Sequence, residues 1–529
     1  MRKPTVNPKR QLINFSIADI GRLALAIIFL IIIYVFVSGH FGGGGVNSHL
    51  LIIAAVIGGY MAMNIGANDV ANNVGPAYGA GAINLLGAIV IAVICESAGA
   101  LIAGGDVTGT IKKNIISPDL IPDVQTFIWL MMAALLAAAL WLNIATAMGA
   151  PVSTTHSIVG GVLGAGVAAG GFGVANWPMM GKIAASWVIS PVMGGAIAAG
   201  FLLLIKRTIL YKDNKRQAAQ KMVPVYLAIM GWAFTTYLVL KGLKHIHKFP
   251  MSQALLIGLV AGVGVFFVTG VLLRKQGEKL ENSKSGVDKL FVIPLIVSAA
   301  FLSFAHGAND VANAVGPLAA INTAVANAAG SGTITTKVAI PLWVMAIGAL
   351  GIATGLALYG PKLIKTVGQE ITELDMARGF CVALAAAITV IIASQYGLPV
   401  SSTHIAVGAV FGVGFLREHL QSNYNRNIAK IRKHMHDENE DEETITAFLA
   451  RFEAASVAEK KRVLRELKEK AKHEEFSWAQ RRRFKKAYKA KLIERSMLWK
   501  IVAAWVFTVP LSGVLAAALY YMIRGYMLP

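Results

Sequence analysis

Residues 66–76 read GANDVANNVGP, and residues 307–317 read GANDVANAVGP. The string GANDVAN therefore occurs twice, 241 residues apart, and each copy lies among long apolar runs. A second doublet follows the first: PVSTTHSIVGGVLG at 151–164 and PVSSTHIAVGAVFG at 399–412, 248 residues apart. The two offsets are so close that all four strings belong to one duplicated unit. Polar motifs in corresponding positions of two apolar halves point to a transporter whose site lies between two repeats.

Composition agrees. The chain has 529 residues, of which 56% are hydrophobic and 15% charged. Eleven stretches are apolar enough to cross a membrane, near 21–38, 49–65, 82–105, 125–147, 178–205, 223–240, 250–273, 290–306, 338–359, 377–395 and 498–523. The first does not read as a signal peptide, because its apolar core is too long and GHFGGGG after it offers no small-residue cleavage site. Cys95 and Cys381 both fall within expected spans, which excludes a disulfide scaffold or a Cys-rich metal site and leaves buried packing. The net charge of +21 sits mostly in loops, so the positive-inside rule explains it better than nucleic acid does.

The charge also orients the chain. Arg2, Lys3, Lys9, Arg10 and Arg22 open it. The loops 206–221 and 274–289 and the charged segment 417–497 are rich in Lys and Arg. Placing all of these in the cytoplasm satisfies the rule, against Lys241, Lys244 and Lys248 alone. By parity, the first repeat then begins outside and the second inside, so the halves are inverted. Three clear spans per half cannot return the chain to its starting side. One weaker segment per half must cross or break, and the GANDVAN and PVS(S/T)TH segments are the candidates.

Asp69 and Asp310 would each cost about 2.5–3.5 kcal/mol at membrane depth, so each needs a cavity, a partner or an ion. Asn68 and Asn72, like Asn309 and Asn313, are four residues apart and share a helix face. Carboxylate and amide oxygens are hard ligands that suit Na+. Gly66, Gly75, Pro76, Gly307, Gly316 and Pro317 favour a helix break that frees backbone carbonyls as further ligands. The bland alternative is a polar packing seam, and recurrence in two corresponding places weighs against it. Pro151 and Pro399 precede Ser153, Thr154, Thr155 and Ser401, Ser402, Thr403, which reads as a helix start. Two such N-termini, one per half, would present free N–H groups and hydroxyls to a tetrahedral oxyanion. Ordinary capping without a ligand is the alternative. His156 and His404 read as packed residues, and no orienting acid or elbow supports a hydrolase. Glu96, inside an expected span, is a functional candidate by default, paired with a cation, a proton, or Lys112 or Lys113.

On these four motifs the chain resembles the inorganic phosphate transporter (PiT) family, whose members symport phosphate with Na+ or H+. GDVTGTIKKNII at 105–116 and TVGQEITEL at 366–374 add to the likeness. The resemblance covers about 49–205 and 290–416 and the closing helix. It implies an all-α inverted-repeat membrane fold with broken or re-entrant helices, a homodimer and an elevator-like mechanism. It implies phosphate binding by Ser153, Thr154, Thr155, Ser401, Ser402 and Thr403 with Asp69 and Asp310. It implies roles for Asn68, Asp69, Asn309 and Asp310 with the cation, and Glu96 matches a glutamate of the family; with Asn72 and Asn313 from the shared helix faces, these are the expected sodium-binding residues, with no cofactor beyond Na+ or H+ as coupling ion. Ala383 departs from the pattern, since many relatives carry a glutamate there, which bears on the coupling ion.

The chain divides into a tail and extra helix (1–48), a first repeat (49–205), basic loops with a helix pair (206–289), a second repeat (290–416), a charged insert (417–497) and a last helix (498–529). In the insert, Ile445, Phe448, Leu449 and Phe452 form one helical stripe, and Val463, Leu464 and Leu467 another, with a capping box at Ser456 and Glu459. Asp437–Glu443 reads as a solvated acidic loop. RRRFKKAYKAK at 481–491 is basic enough to lie on anionic lipid. The expectation is a phosphate symporter of the plasma (inner) membrane, Na+ favoured over H+, with the N-terminus and 417–497 cytoplasmic and no enzyme activity. A sulfate permease of the same fold and a passive anion channel are the rivals.

Overall fold

The computed structural model describes residues 17–41, 46–104, 115–243, 247–277, 280–328, 340–369, 373–396, 400–437, 441–455, 459–460, 462–463 and 495–528. The described chain is almost wholly helical. The helices are α1 (Ile17–Phe41), α2 (Val46–Asn68), α3 (Ala71–Gly79), α4 (Leu85–Ala103), α5 (Val124–Ala147), α6 (Thr154–Gly170), α7 (Trp177–Ile205) and α8 (Lys215–Tyr237). They continue with α9 (Met251–Gly277), α10 (Lys284–Lys289), α11 (Val292–Ala328), α12 (Leu342–Gln369), α13 (Met376–Gln395), α14 (Ser402–Asp437), α15 (Glu442–Ala454) and α16 (Arg495–Met527). Eleven stretches among the described residues are long and apolar enough to span a membrane, at the places expected from the sequence.

Side-chain caps fix many of the helix starts. Asn84 accepts from Gly87 N, Asp123 from Thr126 N, Ser153 from His156 N and Asn176 from Met179 N. Each satisfies an N–H that the first helical turn leaves without a partner. In the middle of the bundle lie α2, α3, α5, α11 and α13, whose apolar positions join one core. By contrast, α1 exposes Ile27, Ile28, Ile31 and Ile32, and α9 exposes Leu256, Val260 and Phe267. An apolar helix with an apolar outer face is stable in lipid.

Packing between the halves is reciprocal. α2 lies on α12, and α11 lies on α4; α6 lies on α16, and α14 lies on α7. Glycines permit the approach. A Cβ on Gly66 would strike the Ile352 carbonyl, and one on Gly307 the Glu96 carbonyl. Gly164 abuts Gly513, and Gly412 abuts Gly195, in the same manner. Small residues at such contacts are how membrane helices pack backbone to backbone.

Two expectations about breaks need correction. The first GANDVAN does interrupt its helix, at Asp69 and Val70 between α2 and α3. The second does not: α11 runs without interruption from Val292 to Ala328, with Pro317 inside it. Gly66 and Gly307 are therefore sites of close helix approach, and their motif glycines do not mark the break. The PVS(S/T)TH segments instead begin the return arms of two hairpins, α5 with α6 and α13 with α14, each packed together.

The insert begins as a continuation of α14, which passes unbroken from Ser402 to Asp437. Ile445, Leu449 and Phe452 of α15 pack on Ile431, with Tyr424, Ile428 and Met435 of α14, Phe448 and Val463 alongside. The acidic run is not simply a loop: Asp441 caps α15 and Glu442 and Glu443 form its first turn, where the helix dipole favours carboxylates. Ser456, Leu464, Leu467, residues 481–491, Pro399, Lys112 and Lys113 lie outside the described residues.

The glycine contacts set a stability test. Gly164→Leu should destabilise the detergent-solubilised protein by about 1–3 kcal/mol through overpacking against α16. Gly264→Ala, which meets open space, should leave the melting temperature within a degree of the parent. Equal melting temperatures for both variants would show that the α6–α16 contact is not close.

Candidate functional site

The helix break between α2 and α3 presents Asp69. Its backbone carbonyl accepts from Asn72 N at 3.0 Å and from Asn72 Nδ2 at 2.9 Å, so the turn is held by its own motif. The carboxylate then reaches two other segments. Thr154 Oγ1 donates to Asp69 Oδ2 at 2.6 Å, and Thr403 Oγ1 donates to Asp69 Oδ1. Both PVS(S/T)TH motifs thus meet on one carboxylate. Asn72 Nδ2 also donates to Thr403 Oγ1 at 2.9 Å.

The second copy repeats the pattern with partners exchanged. Ser402 Oγ donates to Asp310 Oδ2 at 2.8 Å, as Asn309 Nδ2 does to Asp310 Oδ1 at 2.7 Å. Asn313 Nδ2 donates to Thr154 Oγ1 at 3.0 Å and Thr155 Oγ1 at 3.2 Å. Each Asp takes a hydroxyl from its own half, and each second Asn reaches a hydroxyl of the other half. Ser153 and Ser401 accept from His156 N and His404 N, at 3.1 and 3.2 Å, as N-caps of α6 and α14. These two helix starts meet: Thr155 Oγ1 donates to Val400 O at 3.3 Å, and the His156 and His404 rings lie 4.2 Å apart edge to face, His156 tilted against Trp187 and His404 stacked on Trp505.

Asn68 and Glu96 are placed differently from their motif neighbours. Asn68 Nδ2 donates to Thr146 Oγ1 and Ala150 O, and its Oδ1 accepts from Val152 N. Its amide is thereby committed to the α5–α6 turn. Glu96 Oε1 accepts from Asn73 Nδ2 at 2.8 Å, and Glu96 Oε2 lies 2.7 Å from His306 Nδ1. His306 Nε2 lies 2.7 Å from Asp310 Oδ2. One imidazole therefore bridges two carboxylates. Ligand atoms of Asp69, His306 and Asp310 all fall within 4.8 Å of one another.

Reading the sequence missed His306 and Asn73. The signal was the difference between the copies: His306 stands where the first half has Ile65, and Asn73 where the second has Ala314. The glycine contacts show what that difference means. Gly66 meets the backbone of Ile352 and Gly307 that of Glu96, so Ile352 and Glu96 hold corresponding places. Ile65 and Ile352, both buried in the core, stand on one side where the His306–Glu96 pair stands on the other.

The charge balance is uneven. Asp69, Glu96, Asp310 and His306 are all buried, and no Lys or Arg is buried among the described residues. Three acidic groups thus share one imidazole. Asn72 Oδ1, Asn73 Oδ1 and Asn309 Oδ1 are buried and accept no hydrogen bond among the described residues. Buried acceptors without donors call for a partner. Neutral amide oxygens beside carboxylates are the donor set of a hard cation, so the residues present fit one. The Asp and Asn side chains of both GANDVAN copies and the hydroxyls of Ser153, Thr154, Thr155, Ser401, Ser402 and Thr403 are all buried.

Comparison with known proteins bears on the same residues. The sequence pattern described as "Phosphate transporter family" matches residues 65–516. The chain is 53% identical over 508 residues to a protein of Helicobacter pylori (strain J99), covering 95% of each. It is 40% identical over 376 residues to one of Haemophilus influenzae, covering 70% of this chain and 89% of that relative. Both relatives carry the name "Putative phosphate permease". A solved structure described as "The sodium-dependent phosphate transporter" superposes with a TM-score of 0.71 at 32% identity, covering 91% of this chain and all of the other. The match spans both GANDVAN copies, both PVS(S/T)TH helix starts and most of the closing helix, and this chain belongs to the phosphate transporter family.

Proposed function

We propose that this protein is a secondary active symporter that imports inorganic phosphate with a cation, Na+ in preference to H+. The observation that carries the reading is the surplus of buried carboxylates beside paired hydroxyl-bearing helix starts. A phosphate anion beside Asp69 and Asp310 is repelled while both are charged. A cation between them removes the repulsion, so the two ligands bind better together than apart, and that difference is what couples them.

The residues divide the work as follows. Asp69 and Asp310, with Oδ1 of Asn72 and Asn309, hold the cation. Asn313 positions Thr154 and Thr155, and Asn68 positions the turn before α6. Glu96 and Asn73 hold His306 against Asp310. The hydroxyls of Thr154, Thr155, Ser402 and Thr403 turn from the carboxylates to phosphate when a cation takes their place, and the N-termini of α6 and α14 add N–H groups and partial positive charge. Ser153 and Ser401 keep those N-termini in shape.

The reciprocal pairing of the helices supports an inverted repeat, since a two-fold relation exchanges α2–α12 with α11–α4. The solved relative's description supports Na+. The basic loops support a plasma (inner) membrane location with the insert in the cytoplasm, and a homodimer embedded through its apolar outer faces completes the reading.

Three outcomes test it. Asp69→Asn and Asp310→Asn proteins that insert and purify normally should lose at least nine-tenths of labelled phosphate uptake into proteoliposomes; uptake at the parent rate would make both residues packing groups. An inward Na+ gradient at uniform pH should drive uptake, and labelled sulfate should not compete. Uptake driven by a pH gradient alone in Na+-free buffer would assign H+ instead. Replacing residues 438–494 with a short flexible linker should leave ion dependence and phosphate preference unchanged while lowering the rate; a changed preference would move part of the site into the insert.

A further inference from the structure

The hairpin of α5 and α6 turns at residues 147–153, just before the helix start that carries Thr154 and Thr155. The last carbonyls of α5 are taken up within the turn: Met148 N donates to Ile144 O, Ala150 N to Ala145 O and Gly149 N to Thr146 O, at 2.9–3.0 Å. Gly149 permits this path with a φ of +72°, a conformation that favours glycine. The next carbonyl is Ala147 O. Its helical donor would be residue 151, and Pro151 has no N–H. The bond comes instead from the other half of the molecule: Lys362 Nζ, on α12, donates to Ala147 O at 2.8 Å. The lysine stem crosses Gly149 so closely that a Cβ there would meet Lys362 Cε at 3.5 Å. An ammonium at the C-terminal end of α5 also lies where the helix dipole favours positive charge.

Two side chains thus hold this turn from outside, and both come from one closely packed pair of helices. Asn68, the last residue of α2, engages Thr146, Ala150 and Val152. Lys362 engages Ala147. α2 and α12 meet backbone to backbone, since a Cβ on Gly355 would strike the Met63 carbonyl and one on Gly66 the Ile352 carbonyl. The turn itself is open to its surroundings: Met148 is 77% exposed and Ile144 50%, and Lys362 is exposed as well. The other hairpin is fastened differently, because Asn309, the counterpart of Asn68, gives its amide to Asp310.

We propose that Lys362 is a positioning residue for phosphate, a strap from α12 that aims the first hydroxyl-bearing helix start. It acts through the turn and does not touch the anion. By fixing Ala147 it sets where Ser153, Thr154 and Thr155 stand against Asp69, which Thr154 meets at 2.6 Å. Water can replace the ammonium at so exposed a carbonyl, so losing the strap costs little folding stability. What is lost is the fixed path of the turn, and a binding group that must be ordered afresh holds its ligand less tightly. The inference deepens the transport reading and rests on it.

The test uses the full-length protein. Lys362→Met keeps most of the stem and removes the donor, and Lys362→Arg keeps a donor. Lys365→Met removes an equal charge three residues along α12, at another exposed side chain, and leaves the strap in place. In proteoliposomes, Lys362→Met should raise the phosphate concentration for half-maximal uptake about fivefold, the weight of one hydrogen bond, with the maximal rate little changed. Lys362→Arg and Lys365→Met should stay near the parent. In detergent, hydrogen exchange at the amides of residues 148–150, 152 and 153 should quicken in Lys362→Met and not in Lys362→Arg, at an unchanged melting temperature. Exchange at the parent rate overturns the proposal, as does a half-saturation shift that Lys365→Met shares or that Lys362→Arg fails to relieve. Unchanged half-saturation, whatever the melting temperature, makes Lys362 a structural cap and overturns it too. If the parent itself takes up no phosphate, the transport reading fails, and the exchange result still decides whether Lys362 holds the turn.

Discussion

Three acidic side chains and one imidazole share a buried volume with no lysine or arginine among the described buried residues. Burying a carboxylate without a partner is among the most expensive things a membrane protein does. The surrounding arrangement answers that expense: hydroxyls from two helix starts donate to Asp69, a hydroxyl and an amide donate to Asp310, and His306 stands between Asp310 and Glu96. These contacts make the closed bundle tolerable, yet they leave amide oxygens of Asn72, Asn73 and Asn309 without donors. These residues together fit a small hard cation.

The same contacts tie the two halves together. Thr403 of the second half donates to Asp69 of the first, and Asn313 of the second half donates to Thr154 of the first. Whatever loosens one carboxylate therefore loosens an interface between halves. The glycine seams let the helices carrying these groups touch backbone to backbone, so a change at the carboxylates acts on rigid, closely packed rods and not on a yielding core. α14 carries that link outward, since one helix holds Ser402 and Thr403 at its start and packs on α15 of the insert near its end.

Much of this was legible in the sequence because it is local. Span positions follow from apolar length, and the starts of α6 and α14 follow from Ser153 and Ser401 before apolar, glycine-rich runs. Asp69 and Asp310 stood out because a carboxylate is conspicuous in such surroundings. What escaped was tertiary. Nothing near His306 reveals that Glu96, 210 residues earlier, takes its Nδ1. Asn68 has the spacing of a ligand, and only the path of the α5–α6 turn shows its amide held by Thr146, Ala150 and Val152. The glycines of the motif read as helix breakers because glycine lowers helix propensity, but α11 stays helical through Gly307 since packing against α4 outweighs a preference of about 1 kcal/mol.

The duplication also makes the departures from symmetry meaningful. In corresponding places the scaffold carries Ile65 and Ile352 on one side and His306 and Glu96 on the other. A duplicated gene begins with both sides alike, so a polar pair that survives in an apolar seam needs a reason beyond packing. Its effect is to set one imidazole directly against Asp310, with Asp69 within 4.8 Å of the same ring. The acceptors without donors fall on both copies, Asn72 and Asn73 on the first and Asn309 on the second. In the proposed transport cycle, hydroxyls drawn from both halves would suit a tetrahedral anion, and an imidazole set against Asp310 would make the two carboxylates unequal places for a cation.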